Sequence, residues 1–195
     1  MKIVVVGGGT AGWLAALMIS KIRPEHNVTV IESSKIGIIG AGEGSTGSLT
    51  NIVQNEMANM GCVEQDFIRE CDATIKLGIK HIGWNKDTKS HYYGPIDGSP
   101  TSGDSVDIVF QHALGYREQN LLHVSTELGY KIEHNKNSFV EHNGNHAYHF
   151  DAHKVGKYFK KVSSSVTDID SEVDEVILDP ESGWVTSLKL SNGNT

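Results

Sequence analysis

Residues 2–12 read KIVVVGGGTAG, and the glycines at positions 7, 9 and 12 constrain this chain more than any other feature. Lys2 to Val6 has the unbroken β-branched character of a strand buried in a parallel sheet. Ala11 to Ile22 reads as a helix, apolar nearly all round and stopped by Pro24. Between them, Gly7, Gly9, Thr10, Ala11 and Gly12 belong to a G-x-G-x-x-G pattern. The first glycine permits the tight turn, the second lets backbone approach a pyrophosphate, and the third lets the helix pack on the strand. The helix N-terminus adds free N–H groups and the positive end of its dipole. Val28 to Ile31 is a second β-branched run and ends at Glu32, twenty residues after Gly12. A carboxylate in that place accepts hydrogen bonds from an adenosine ribose. A ligand-free glycine turn is the plain alternative, but the strand before, the helix after and the acid at the next strand end favour a dinucleotide. The unit opens a doubly wound α/β sheet.

With 195 residues, the chain has room for one domain with a real core. No apolar run approaches the roughly 20 residues that span a bilayer, and no secretory leader precedes the first strand, so no membrane partner is expected. The net charge of −7, with lysines and arginines scattered, argues against nucleic acid. The densest basic group, Lys157, Lys160 and Lys161, reads as the solvated face of a helix. Two cysteines, Cys62 and Cys71, are too few for a disulfide framework or a zinc ribbon, and a reducing cytoplasm is the expected compartment. His142/His146 and His149/His153 have i, i+4 spacing, but Asn143-Gly144-Asn145 interrupts the segment, and no metal site is expected.

Further along, residues 36–47 are too glycine-rich to form one regular element. Leu49, Ile52, Val53, Met57 and Met60 predict an amphipathic helix over 48–60. Phe67, Ile68, Cys71 and Ile75 predict another over 64–76, and Ile79 to Trp84 alternates as a strand. Residues 85–104 read as a long loop, residues 117–129 as helix, and Asn143-Gly144 as a hairpin turn. Asp151 is placed to cap a helix running to Val162, with Val155, Tyr158, Phe159 and Val162 facing inward. Val173 to Leu178 and Trp184 to Leu190 form a hairpin around Pro180–Gly183.

Two more segments bear on chemistry. Gly40-Ala41-Gly42-Glu43-Gly44-Ser45-Thr46 offers closely approachable backbone with one carboxylate and two hydroxyls, or is simply a flexible loop. Lys76 falls at the predicted helix–strand junction between Ile75 and Ile79. A lysine taken partly out of water is a better nucleophile and donor, whereas a snorkelling surface lysine is the ordinary alternative.

Together GGGTAGW (Gly7 to Trp13), GAGEGST (Gly40 to Thr46), ATIKLGIKHIGW (Ala73 to Trp84) and YHFDAHKVGKYFKK (Tyr148 to Lys161) resemble the flavin-dependent tryptophan halogenases, in matching order along the whole chain. The resemblance implies FAD bound by Gly7, Gly9, Thr10, Ala11, Gly12 and Glu32. It implies a loop with Glu43, Gly44 and Ser45 lying against the flavin, and Lys76, not Lys80, as the catalytic lysine. It makes His149 and Asp151 structural. The implied reaction takes FADH2 from a separate flavin reductase, O2 and halide, makes hypohalous acid, and uses the lysine to deliver halogen to a small electron-rich aromatic such as tryptophan or another indole. Family members are more than twice this length and carry a catalytic glutamate and a W-x-W-x-I-P signature downstream; neither occurs here, and Gly47 stands near a common family proline. The expectation is therefore the N-terminal part, residues 1–195, of an FAD-binding domain of the aromatic-hydroxylase kind, its sheet incomplete at the C-terminus, with no second domain. Two alternatives stay open: another flavin-dependent monooxygenase or oxidoreductase, and an inactive FAD-binding fragment.

Overall fold

A computed structural model describes residues 1–37, 40, 42–59, 62–83, 91–96, 131, 134 and 146–193. They divide into two compact units, Met1–Glu43 with Gln65–Asp72 and Phe150–Thr195, and Gly44–Glu64 with Ala73–His149.

The first unit is built on a parallel sheet. β1 (Lys2–Val6) pairs with β2 (Asn27–Glu32), which pairs with β8 (Thr167–Asp170), giving the order β1–β2–β8. The connection from β1 to β2 is α1 (Thr10–Ile22), which buries Trp13, Ala16, Leu17 and Ser20. β1 carries the expected strand, yet Val4 and Val6 on it are exposed. α5 (Ala152–Val162) packs beside α1, with Val155, Tyr158 and Phe159 buried and Val162 at intermediate exposure. Asp151 caps α5 as expected, its Oδ1 accepting from the N–H groups of His153 at 2.8 Å and Lys154 at 3.1 Å. Phe67 of α4 (Glu64–Glu70) is fully buried among Phe150, Tyr158 and Phe159, with ring centroids 5.8–6.3 Å away. Burying a side chain of that size contributes about 2–3 kcal/mol. β9 (Val173–Leu178) and β10 (Val185–Leu190) form the expected antiparallel hairpin.

α4 ends at Glu70, six residues short of the predicted helix. Asp72 takes φ +48°, which breaks the helical run, and the Cys71 carbonyl accepts from the Asp151 N–H at 3.1 Å. Ile75 and Lys76 then belong to a strand, favoured by the β-branched Thr74-Ile75 pair.

A further three-stranded sheet has the order β3 (Gly42–Gly44), β7 (Ala147–Asp151), β4 (Thr74–Lys76). β4 runs antiparallel to β7, with Thr74 opposite His149 and Lys76 opposite Ala147. The predicted 48–60 helix is a helical run in three stretches. α2 (Gly47–Asn51) leads into a π-helical stretch, Ile52–Glu56, and then α3 (Met57–Asn59), with Thr50, Val53 and Met57 buried. β5 (Gly78–Ile82) pairs antiparallel with β6 (His91–Pro95), so a strand occupies part of the predicted long loop. The predicted 117–129 helix and the Asn143-Gly144 turn lie outside the described residues.

Candidate functional site

In the first unit, the glycine turn has the sterics that its sequence demands. Gly7 adopts φ +111°, a conformation that L side chains rarely take, and its N–H donates to the Ile31 carbonyl at 2.8 Å. At Gly12 a Cβ would lie 1.9 Å from the Gly7 carbonyl oxygen, so this position admits no side chain without separating α1 from the turn. At Gly9, the N-cap of α1, a Cβ would meet nothing within 4 Å. The turn is therefore tight where helix meets strand and open on the side where a ligand can approach.

That open side belongs to a groove of about 910 Å³ lined by Gly7, Gly9, Thr10, Ala11, Glu32 and Glu43, among others. The groove therefore gathers six of the ten predicted site residues. Gly12 supports the turn from behind. A Cβ on Gly40 would lie 2.9 Å from the Glu43 carboxylate, so loop backbone and acid come close together there. The Ser171 N–H donates to the Glu32 carbonyl at 2.8 Å, tying β2 to the segment that follows β8.

Glu32 has partners that the sequence reading missed. Its Oε2 accepts from the Trp13 indole N–H at 3.1 Å and its Oε1 from the Lys160 ammonium at 2.6 Å. Lys160 also reaches Asp168 at 2.5 Å. Partial burial pulls the Lys160 amine down, but the hydrogen bonds it donates to Asp168 and Glu32 outweigh it and hold the group above its ordinary value. The basic trio on α5 is thus more than a solvated face. Lys160 bridges two acids, and Lys161 holds both oxygens of Glu70 at 2.8 Å.

In the second unit, Lys76 ends β4 at intermediate exposure, and its ammonium donates to the Ser45 carbonyl at 3.2 Å. Ser45 is held to β7 through two contacts: its N–H donates to the Tyr148 carbonyl at 2.8 Å, and its hydroxyl accepts from the Tyr148 N–H at 2.9 Å. Gly44 lies close to two polar side chains. A Cβ there would be 3.2 Å from His149 Nδ1 and 3.4 Å from Lys76 Nζ. The structure thus brings Gly44, Ser45 and Lys76 together in one place, with the lysine on a strand and not at a helix–strand junction.

In the same unit, Glu64 accepts hydrogen bonds from the Tyr148 hydroxyl and from Gln54 Nε2 at 3.1 Å, and contacts His146 Nε2 at 3.1 Å. Burial, with the Glu64 carboxylate second, pushes the Tyr148 phenol far above its usual range, so it stays protonated. His146 and Tyr148 are 82 and 84 residues from Glu64 in sequence, and no local pattern announces them. Among the described residues no cluster of His, Cys, Asp or Glu could hold a metal ion, and no helix is long and apolar enough to cross a membrane.

A family model for tryptophan halogenase matches residues 2–195. The chain is 28% identical to tryptophan 6-halogenase ThaL of Streptomyces albogriseolus, over 98% of this chain and 40% of that one. It is 27% identical to tryptophan 7-halogenase RebH of Lentzea aerocolonigenes, again over 98% of this chain and 40% of the relative. Its fold matches the solved structure of Xcc4156, a flavin-dependent halogenase from Xanthomonas campestris, with a TM-score of 0.78 and 27% identity, over 99% of this chain and 39% of that one. The chain therefore spans about 40% of the length of the relatives it matches.

Proposed function

This chain belongs to the tryptophan halogenase family, and from that premise we propose that the intact protein is an FAD-dependent halogenase acting on tryptophan or another electron-rich indole. The observation that carries the proposal is the turn itself: Gly7 at φ +111°, Gly12 against the Gly7 carbonyl, and open space at Gly9 facing the groove. These residues fit a dinucleotide, because a side chain at Gly9 would fill the space through which a pyrophosphate reaches backbone.

Gly7, Gly9, Thr10 and Ala11 would hold the pyrophosphate, with N–H groups at the start of α1 supplying the donors. Glu32 would take the adenosine ribose. The loop carrying Glu43, Gly44 and Ser45 would lie against the flavin. When bound, FADH2 from a separate flavin reductase would supply the two electrons with which O2, halide and a proton become hypohalous acid and water. Lys76 then places the halogen. As a neutral amine it attacks hypohalous acid, forming an N–halogen bond and releasing water; as an ammonium it donates a hydrogen bond that polarises the O–halogen bond. Its bond to the Ser45 carbonyl fixes where the ammonium sits before the oxidant arrives.

The test is to supply the intact protein with a flavin reductase, FAD, NADH, O2 and an indole, with and without chloride or bromide. Halogenated product that requires halide supports the assignment. Oxygenated product without halide would make the protein a different flavin oxidoreductase.

A further inference from the structure

Glu32 faces two cavities. On one side is the groove of about 910 Å³, lined also by Gly9, Thr10 and Ala11. On the other is a smaller cavity of about 330 Å³, whose walls include Trp13, Lys160 and Asp168. These three do not line the groove. Resting on the cofactor assignment above, we propose that Lys160 and Trp13 clamp the Glu32 carboxylate from behind and present it to the adenosine ribose, so that both are positioning residues for FAD.

The geometry is that of a three-sided vice. Trp13 Nε1 donates to Oε2 at 3.1 Å and Lys160 Nζ to Oε1 at 2.6 Å, one donor for each oxygen. A carboxylate has about four acceptor sites, so one on each oxygen is left for a pair of ribose hydroxyls. Gly8 forms the third side, where a Cβ would lie 1.7 Å from Oε2. The ammonium is itself fixed. Asp168 holds it at 2.5 Å, and it lies 5.4 Å from the centre of the Trp13 ring. Asp168 is carried by β8, whose register with β2 sets it opposite Val30.

Stability alone does not account for this arrangement. The Lys160 side chain is 43% exposed, and ion pairs of that kind contribute only about 0–1 kcal/mol to folding. Its effect is directional. Without the ammonium, the acids of β2 and β8 repel each other and Glu32 loses the donor that fixes Oε1.

A thermodynamic cycle on FAD affinity separates a positioning role from a structural one. The variants are Glu32→Gln, Lys160→Met and the double variant, titrated with FAD by quenching of flavin fluorescence, with the melting temperature of each apoprotein alongside. Glu32→Gln should weaken FAD binding by about tenfold or more, and Lys160→Met by about tenfold. The double variant should be no weaker than Glu32→Gln alone, and apo Lys160→Met should melt within a few degrees of wild type. Trp13→Phe keeps an aromatic ring and removes the indole N–H. It should weaken FAD by a few-fold with the same non-additivity, and it decides the matter if Lys160→Met does not fold. Additive losses, or wild-type affinity in Lys160→Met, overturn the clamp while leaving Glu32 in its role. Wild-type affinity in Glu32→Gln removes Glu32 from the ribose site and overturns the clamp with it.

Discussion

Gly12→Ala and Gly9→Val should separate what the glycine turn does for folding from what it does for binding. At Gly12 the new Cβ would lie 1.9 Å from the Gly7 carbonyl oxygen, whereas ordinary contact begins at 3.4 Å. α1 and the turn must therefore part by about 1.5 Å, and both sides of the clash are backbone. A gap of even 0.5–1 Å forfeits about a quarter to a half of each contact's attraction, and Trp13, Ala16 and Leu17 are the buried side chains that would lose it. Overpacking costs about 1–3 kcal/mol, and a backbone clash belongs at the upper end, near 3 kcal/mol. For a chain of this size that lowers the melting temperature by about 6–12 °C. Gly9 has φ −75° and ψ −177°, which any residue adopts, and nothing lies within 4 Å of its Cβ direction. Exchanging an N-cap glycine for valine costs at most about 1 kcal/mol, or about 2–4 °C. The same valine occupies the ligand's approach and should weaken FAD by about a hundredfold or more. Differential scanning fluorimetry of the apoproteins and FAD titration read the two effects independently. A Gly12→Ala variant that melts with wild type would refute the packing argument. Undiminished FAD affinity in Gly9→Val would show that the groove is not the cofactor cradle.

Asp151→Ala removes the acceptor for two N–H groups at the start of α5. It should cost about 1 kcal/mol in urea unfolding, with FAD affinity per folded molecule unchanged. Burial, aided by Glu70, Asp151 and Asp72, pushes the Cys71 thiol from 9.0 up to about 12. The unfolded thiol loses its proton above pH 9 while the native one keeps it, so the native state binds more protons there and stability falls as pH rises. The slope approaches about 1.4 kcal/mol per pH unit. Between pH 9 and 11, wild type should therefore lose about 2 kcal/mol more than Cys71→Ala. Equal losses in the two proteins would show that the thiol ionises alike in both states.

The glycine turn was legible because Gly7 and Gly12 answer steric demands that only glycine meets, and sequence displays glycine directly. The N-cap at Asp151 and the β9–β10 hairpin were legible for the same local reason. β8 was not. Thr167-Asp168-Ile169-Asp170 has one aliphatic residue, and what makes it a strand is pairing with β2, 138 residues away at Thr29↔Thr167. The helix over 64–76 was read too long because Phe67, Ile68, Cys71 and Ile75 keep a helical period through a break set by Asp72 backbone geometry. Lys160 looked like one of three solvated lysines because its acids lie on β2 and β8, outside its own helix. The family pattern singled out Lys76, while its seat on a strand beside Gly44 and Ser45 came only from the β4–β7 register.

In the proposed function, Lys76 hands over a halogen that the flavin chemistry has already made. This step is tested most directly by measuring halogenated product and free hypohalous acid together in the intact protein, for Lys76→Ala, Lys76→Arg and Lys80→Ala. Lys76→Ala should yield no halogenated indole while a trap still collects hypohalous acid at close to the wild-type rate. Lys76→Arg should fail in the same way, since a guanidinium neither gives up its proton to become a nucleophile nor reproduces the ammonium's point contact. Lys80→Ala, on β5 opposite Tyr93, should keep its product. Product from Lys76→Ala but not from Lys80→Ala would assign the reaction to the other lysine, and product from both would contradict lysine-borne delivery altogether.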